Sequence, residues 1–154
     1  MSKIAVFPGS FDPFTKGHEA VVRRGTTMFD KIVVAIGENT SKKYMFDLQQ
    51  RIAMVESVFE KDSNVDVVTF SGLTVNYCKK IGASHILRGL RDEKDFGYER
   101  NIAIMNRDLV ATIDTVFMIT DPALSAISST ILREILKNKG DITAFLPDGM
   151  EFDY

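Results

Sequence analysis

The stretch Lys3–His18, KIAVFPGSFDPFTKGH, constrains the fold more than any other part of the chain. Ile4, Ala5, Val6 and Phe7 form a short apolar run, Pro8, Gly9 and Pro13 interrupt it, and Gly17-His18 opens a helical pattern. The pattern predicts a buried strand, a tight loop and a helix start. Such a loop leaves backbone N–H groups unpaired at a helix N-terminus, where an anion, commonly phosphate, is the natural guest. The loop is therefore read as a cradle for the phosphates of a nucleotide.

The chain behind this loop alternates. Strands are predicted over Ile32–Ile36, Val65–Phe70, Ser84–Leu87 and Ile113–Ile119. Helices are predicted over Asp47–Glu60 with Asp47 as N-cap, Leu73–Ile81 stopped by Gly82, Asp92–Val110, and Ile131–Lys137 closed by Gly140. Phe96, Ile102, Met105 and Leu109 give the third of these helices its apolar positions. Near-continuous apolar strands alternating with helices imply an α/β fold. The expectation is one Rossmann-like, doubly wound domain over residues 1–154, with about five parallel strands and helices on both faces. In such sheets ligands bind beyond the C-terminal strand ends. The loops after Phe7, Ile36, Phe70, Leu87 and Ile119 should then share one site.

Charge and cysteine content narrow the partners. The net charge of -2 excludes a global basic field, so no nucleic-acid partner is expected and any anion site must be a local cluster. No apolar stretch reaches membrane-span length, so no membrane partner is expected. The single cysteine, Cys78, excludes an intramolecular disulfide and a cysteine-based zinc site. With no signal-peptide pattern at the N-terminus, a cytoplasmic location is expected.

The five loops carry the candidate chemistry. The first holds Ser10 and His18. A lone histidine is more often structural, but one closing a strand–loop–helix unit can direct a ring N–H at an anion. The second holds Lys42 and Lys43, ordinary surface charges unless the sheet places them beside the first loop. The third holds Thr74, read either as a cap or as a site residue. The fourth holds Arg88, Gly89 and Arg91, placed directly after a strand. Arginine offers a planar fork of donors suited to phosphate, although Arg91 can equally pair with Glu93 or Asp95. Glu99, in the following helix, is read as an acceptor for a base or ribose, or as a partner of Arg100 or Arg107. The fifth holds Ser128, Ser129 and Thr130, whose hydroxyls exceed the needs of one helix cap and suggest a second phosphate cradle. No P-loop and no G-x-G-x-x-G string is present, although Glu38 stands where a ribose-binding acid would fall in a dinucleotide fold. No metal-ligand pattern or defensible Ser-His-Asp set occurs. The implied chemistry is phosphoryl or nucleotidyl transfer by positioning and charge stabilisation.

Gly9-Ser10-Phe11-Asp12-Pro13 with Thr15-x-Gly17-His18, and Ile127-Ser128-Ser129-Thr130 near the end, resemble the nucleotidyltransferase α/β-phosphodiesterase superfamily. With Ser41-Lys42-Lys43, Arg88-Gly89-Leu90-Arg91, Tyr98-Glu99 and Met105-Asn106-Arg107 between them, the set is similar to the bacterial phosphopantetheine adenylyltransferases. That resemblance implies transfer of AMP from ATP to phosphopantetheine, giving dephospho-coenzyme A and pyrophosphate, with Mg²⁺. It implies catalytic roles for His18, Ser10, Lys42, Arg91 and Ser129. It implies ATP contacts from Ser10, Phe11, His18, Gly89, Leu90, Arg91, Glu99, Leu124, Ser125, Ala126, Ile127, Ser128, Ser129 and Thr130. Ser10, Lys42, Thr74 and Arg88 would contact phosphopantetheine. It further implies a homohexamer and coenzyme A as a feedback inhibitor. Two departures stand out: Ala126 occupies a position often aromatic in the family, and the tail ends soon after Phe145-Leu146-Pro147. Rival readings are an adenylyltransferase or related enzyme using nicotinamide mononucleotide or a polyol phosphate, a non-catalytic nucleotide-binding module, and an NAD-dependent reductase.

Overall fold

The computed structural model describes residues 1–154. Its elements run β1 (Ile4–Gly9), α1 (Lys16–Gly25), β2 (Lys31–Gly37), α2 (Leu48–Phe59), β3 (Val65–Phe70), α3 (Thr74–Ile81), β4 (His85–Leu90), α4 (Glu93–Leu109), β5 (Asp114–Ile119) and α5 (Ser129–Lys137). Short 3₁₀ turns at Pro122–Leu124 and Thr143–Phe145 were not anticipated from the sequence. The five strands form one sheet in the order β3-β2-β1-β4-β5, with every pairing parallel. This is the doubly wound architecture that the alternation predicts.

Side-chain alternation splits the core between the two faces of the sheet. Ala5, Phe7, Ile32, Val34 and Ile36 face α1 and α2, packing with Val22, Val55 and Phe59. Val6, Val33, Ala35 and Ile86 face α3, packing with Val75 and Cys78. Both faces are apolar, which is why the strands read as continuous runs. A third cluster joins Phe46 and Met54 to Leu132, Leu136, Ile142 and Leu146, so α5 and the tail close over α2. No helix is long and apolar enough to cross a membrane.

The strand order reverses at the β1/β4 boundary, where ligands bind in such sheets. The two strands barely pair. Only Ala5↔His85 and Val6↔Ile86 are in register, against six pairs each for β1/β2 and β4/β5. Beyond Val6 and Ile86 the sheet therefore opens into a crevice.

One expectation needs correction, and one feature of α4 goes beyond what was expected. The fourth strand does not stop at Leu87 but runs to Leu90, so Arg88, Gly89 and Leu90 lie within β4 rather than in a loop after it. The apolar positions of α4 are not buried: Phe96, Ile102, Met105 and Leu109 are all exposed, and the helix contains no buried residue. Its apolar period is real, but nothing in the chain covers it.

Asp47 caps α2 as expected, in a reciprocal box. Its carboxylate accepts the Gln50 N–H at 2.8 Å, and the Gln50 side chain accepts the Asp47 N–H at 2.9 Å. Asp47→Ala removes that cap and should cost about 1 kcal/mol. Urea unfolding should show a lower midpoint with an unchanged denaturant slope.

Candidate active site

The site is built on a loop whose backbone is held by side chains from elsewhere. Phe11 adopts φ 51, the left-handed region that side chains rarely occupy, and the Asp12-Pro13 peptide is cis. Gly9 is required beneath it: a Cβ there would lie 2.8 Å from the Phe11 ring. The Asp12 carboxylate, 4% exposed, accepts the N–H groups of Met45 and Phe46 at 2.9 and 2.8 Å. It thereby ties this loop to the one after β2. The carbonyls of Pro8, Ser10, Asp12 and Pro13 accept from Arg88, Arg51, Arg133 and Ser129 respectively, at 2.8–2.9 Å. The N–H groups of Ser10 and Phe11 find no acceptor in the protein, so they remain available to an anion.

His18 stands in the first turn of α1. The Thr15 N–H donates to His18 Nδ1 at 3.0 Å, and the His18 N–H donates to Thr15 Oγ1 at 3.3 Å, an N-cap box closed by an imidazole. An acceptor Nδ1 places the ring proton on Nε2. The ring packs edge-on to Phe11 at 5.1 Å and tilted against Phe14 at 5.3 Å. Burial, then the charges of Arg88 and Arg91, push its pKa down to about 3. Near neutral pH, His18 is a neutral Nε2–H donor on the wall of the crevice.

Two adjoining cavities occupy the crevice. One, of about 390 Å³, is lined by Ser10, Lys42, Thr74, Arg88 and Glu99, with Tyr98 and Ile102 of α4 adding apolar wall. The other, of about 310 Å³, is lined by Phe11, His18, Gly89, Arg91, Leu124 and the start of α5. Pro8, Gly9, Ser10, Arg88 and Glu99 belong to both. At the partition Arg88 forms a fork on Glu99, with Nε–Oε2 at 2.9 Å and Nη2–Oε1 at 2.5 Å, while its Nη1 reaches the Pro8 carbonyl. Lys42 Nζ lies 3.2 Å from Ser10 Oγ, which joins the second loop to the first.

All five loops contribute to these two cavities, but the residues in them are used unevenly. Thr74 lines the larger cavity and does not cap α3; Leu73 is the N-cap position and makes no side-chain bond. Glu99 pairs with Arg88, not with Arg100 or Arg107. Arg91 takes the structural partner foreseen for it. It donates to Asp95 at 3.0 and 3.2 Å, while its remaining surface lines the smaller cavity. Burial works to raise the Asp95 carboxyl, but the Arg91 hydrogen bonds outweigh it and hold the group below the usual range. The hydroxyls of Ser128, Ser129 and Thr130 are not a surplus. Ser128 accepts the Ile131 N–H, Ser129 donates to Pro13 and Thr130 accepts from Arg133. What α5 offers the cavity beyond these bonds is its first-turn N–H groups, which have no intrahelical acceptor. Ile127 also lines this cavity, whereas Leu90, Ser125 and Ala126 line neither one. Leu90 is core, and Ser125 donates to Pro122. Lys43 is exposed and lines neither cavity. Cys78 is buried in the core, which pushes its thiol up to about 11 and keeps it protonated.

Three residues escaped the sequence reading. Arg51, 2% exposed, fastens Ser10, Gly37 and Phe46 through their carbonyls and lies 3.9 Å over the Tyr44 ring. Arg133 sits one helical turn beyond Ser129 and lines the smaller cavity. Thr120, at the exit of β5, is 7% exposed and lines the same cavity. The spacing of Ser129 and Arg133 (i, i+4) was one available sequence signal. Thr120, the first residue after Ile119, stands at a strand exit and was open to the same rule as the other loops, whereas nothing in the local pattern marks Arg51.

A parallel sheet opened at its switch point, with an N–H nest, a neutral imidazole and cations on two joined cavities, suits phosphorylated ligands and fits a nucleotidyltransferase. Residues 6–135 match the cytidylyltransferase-like family. The chain is 52% identical over 147 residues to the phosphopantetheine adenylyltransferase of Cytophaga hutchinsonii, covering 96% of this chain and 98% of that protein. It is 40% identical over 146 residues to the phosphopantetheine adenylyltransferase of Alkaliphilus metalliredigens, covering 95% and 93%. The fold also matches a solved bifunctional NMN adenylyltransferase/ADP ribose pyrophosphatase from Francisella tularensis. There the TM-score is 0.73 at 19% identity, covering 97% of this chain and 46% of that one, a likeness of fold alone. The chain belongs to the phosphopantetheine adenylyltransferase family.

The depressed His18 pKa has a definite sign in stability. Between pH 6.5 and about 3 the unfolded chain binds the proton that folded His18 refuses. This contribution is fully present above pH 6.5 and is lost as pH falls through that window. The ring Cε1 proton should show no NMR titration near pH 6.5, and a midpoint there would contradict the neutral, buried imidazole. His18→Gln should flatten the same acid limb in thermal unfolding.

Proposed function

We propose that the chain transfers AMP from ATP to 4′-phosphopantetheine, releasing pyrophosphate and forming dephospho-coenzyme A. The observation that carries this reading is the pair of cavities joined at Ser10, Arg88 and Glu99. Two phosphorylated substrates can lie end to end there, their reacting phosphates meeting at the shared wall. The family membership supports the choice of substrates.

In this reading ATP takes the cavity of His18 and α5, and phosphopantetheine the cavity of Lys42 and Thr74. A phosphate oxygen of phosphopantetheine attacks the α-phosphorus of ATP. The bond from that phosphorus to the bridging oxygen breaks, and pyrophosphate leaves with the electron pair. A phosphate monoester is largely dianionic near pH 7, so the nucleophile needs no protein base. No covalent protein intermediate is formed. His18 Nε2–H donates to an α-phosphate oxygen as charge grows there, and Lys42 and Ser10 steady the attacking phosphate. Donors fixed in place beforehand act most strongly in the transition state. The Arg88–Glu99 fork keeps Arg88 oriented across the crevice while its charge faces both cavities.

Mg²⁺ enters as part of the nucleotide substrate. No group of three or more His, Cys, Asp or Glu side chains is arranged to hold a metal ion. Of the carboxylates that line the two cavities, Asp95 and Glu99 are each engaged by an arginine and Asp12 by two backbone N–H groups, which leaves Glu38 alone at the edge of the larger cavity. Phosphate oxygens and water then supply the ligands, as is common for this ion. The hexamer belongs to the same reading, and the uncovered apolar residues of α4 support a face for self-association. Coenzyme A, which shares the pantetheine arm with the substrate, would compete for the larger cavity.

The test is pyrophosphate release from MgATP with phosphopantetheine, with nicotinamide mononucleotide and glycerol phosphate as parallel acceptors. Release with phosphopantetheine alone is the expected outcome, and release only with another acceptor would reassign the substrate. His18→Ala should lower kcat by roughly 10²–10³, the range for one preorganised donor. A loss under about threefold would remove His18 from the role given above. Lys42→Ala should raise the KM for phosphopantetheine and also lower kcat. Unchanged kinetics would return Lys42 to an ordinary surface charge.

A further inference from the structure

Thr120 is one of only four buried polar or charged residues in the protein. The other three are engaged: Asp12 by two backbone N–H groups, Thr15 by His18, and Arg51 by carbonyls. The Thr120 N–H donates to the Leu90 carbonyl at 2.8 Å, but its hydroxyl makes no hydrogen bond within the protein. No sealed side-chain polar atom lacks a partner. The Thr120 oxygen is therefore not sealed, and the space it opens onto is the cavity that it lines. A largely buried hydroxyl left open in this way is poised for a ligand.

The surroundings indicate which part of a nucleotide would reach it. Thr120 and Met118 are two residues apart and share one face of the sheet, the face of Gly89, which pairs with Met118. Gly89 has no side chain, and Val21 packs into the space that one would take. A Cβ there would lie 2.9 Å from Val21 Cγ2 and 3.6 Å from Thr120 Oγ1. Val21 lies three residues beyond His18, about one helical turn further along α1. The wall thus changes character with distance from His18. Near it are phosphate-suited donors; beyond it Val21, packed over Gly89, and Leu124 line an apolar strip that carries one hydroxyl. A flat heteroaromatic base fits such a strip, its distal edge turned away from the sugar and phosphates.

We propose that the Thr120 hydroxyl reads the base of the nucleotide, accepting a hydrogen bond from the exocyclic 6-amino group of adenine. The inference rests on the assignment of this cavity to ATP. Thr120 is in this account a specificity-determining contact that takes no part in the chemical step.

The test is Thr120→Val, which keeps the branched shape and deletes the hydroxyl, assayed by pyrophosphate release with ATP and with the triphosphate of unsubstituted purine riboside. Since the hydroxyl bonds nothing in the free protein, the variant should unfold at the same temperature as the wild type or higher. Its KM for ATP should rise about 3- to 10-fold, the range for one net hydrogen bond, with kcat and the KM for phosphopantetheine unchanged. The wild type should prefer ATP over the purine analogue by a similar factor, and Thr120→Val should lose that preference. An unchanged KM for ATP, or a preference for ATP that survives the substitution, would overturn the proposal. A lowered unfolding temperature together with equal losses on both nucleotides would assign the hydroxyl a structural role instead. If the wild type released no pyrophosphate with any acceptor, the cavity assignment itself would fail, an outcome distinct from all of these.

Discussion

The site depends on hydrogen bonds made to the backbone carbonyls of residues 8–13. Arg88 from β4, Arg51 from α2, and Arg133 and Ser129 from α5 each hold one carbonyl of this loop. A charged donor on a carbonyl contributes about 1.5–3 kcal/mol, while Phe11 in the left-handed region costs about 1–2 kcal/mol. Three such donors comfortably offset one strained residue. With the carbonyls so engaged, the Ser10 and Phe11 N–H groups are left without protein acceptors. The anion nest is thus a product of tertiary hydrogen bonding as much as of the glycine and prolines in the loop.

The crevice itself comes from incomplete pairing. β1 and β4 share only two register pairs before they part, and Arg88 spans the gap to Pro8. The same arginine is forked onto Glu99 of α4, so one side chain joins both halves of the doubly wound sheet to the helix that walls the larger cavity. A residue with this many fixed partners keeps its charge in one place. That is the condition for an electrostatic contribution that needs no reorganisation during reaction.

Much of the architecture could be read from periodicity. β3 begins and ends where the apolar pattern does, Asp47 caps α2, and Gly82 closes α3 at φ 74. The errors share one origin. β4 was read short because Arg88 and Gly89 look like loop residues, yet at a sheet opening a strand can carry a cation and a glycine toward ligand space. The α4 spacing gives the helix correctly, but it does not say whether this chain covers the apolar face, and it does not. The serine run was read as surplus hydroxyls because their partners, Pro13 and Arg133, are chosen by packing.

The strand–helix alternation, the parallel sheet and the loops that meet at one edge are legible in the chain alone, because they follow from local period and connectivity. The sequence also marked His18, Ser10, Lys42 and Arg88 as candidates, because rare polar groups at strand exits are visible in one dimension. Which of them share a wall, which arginine is forked and which is strapped to a loop were set by packing in three dimensions. The same packing makes the His18 imidazole a neutral Nε2–H donor and leaves the Thr120 hydroxyl open. Those outcomes depend on burial and on partners far apart in the chain, such as Ser129 on Pro13 and Arg51 on Ser10. No local pattern encodes a partner at that distance.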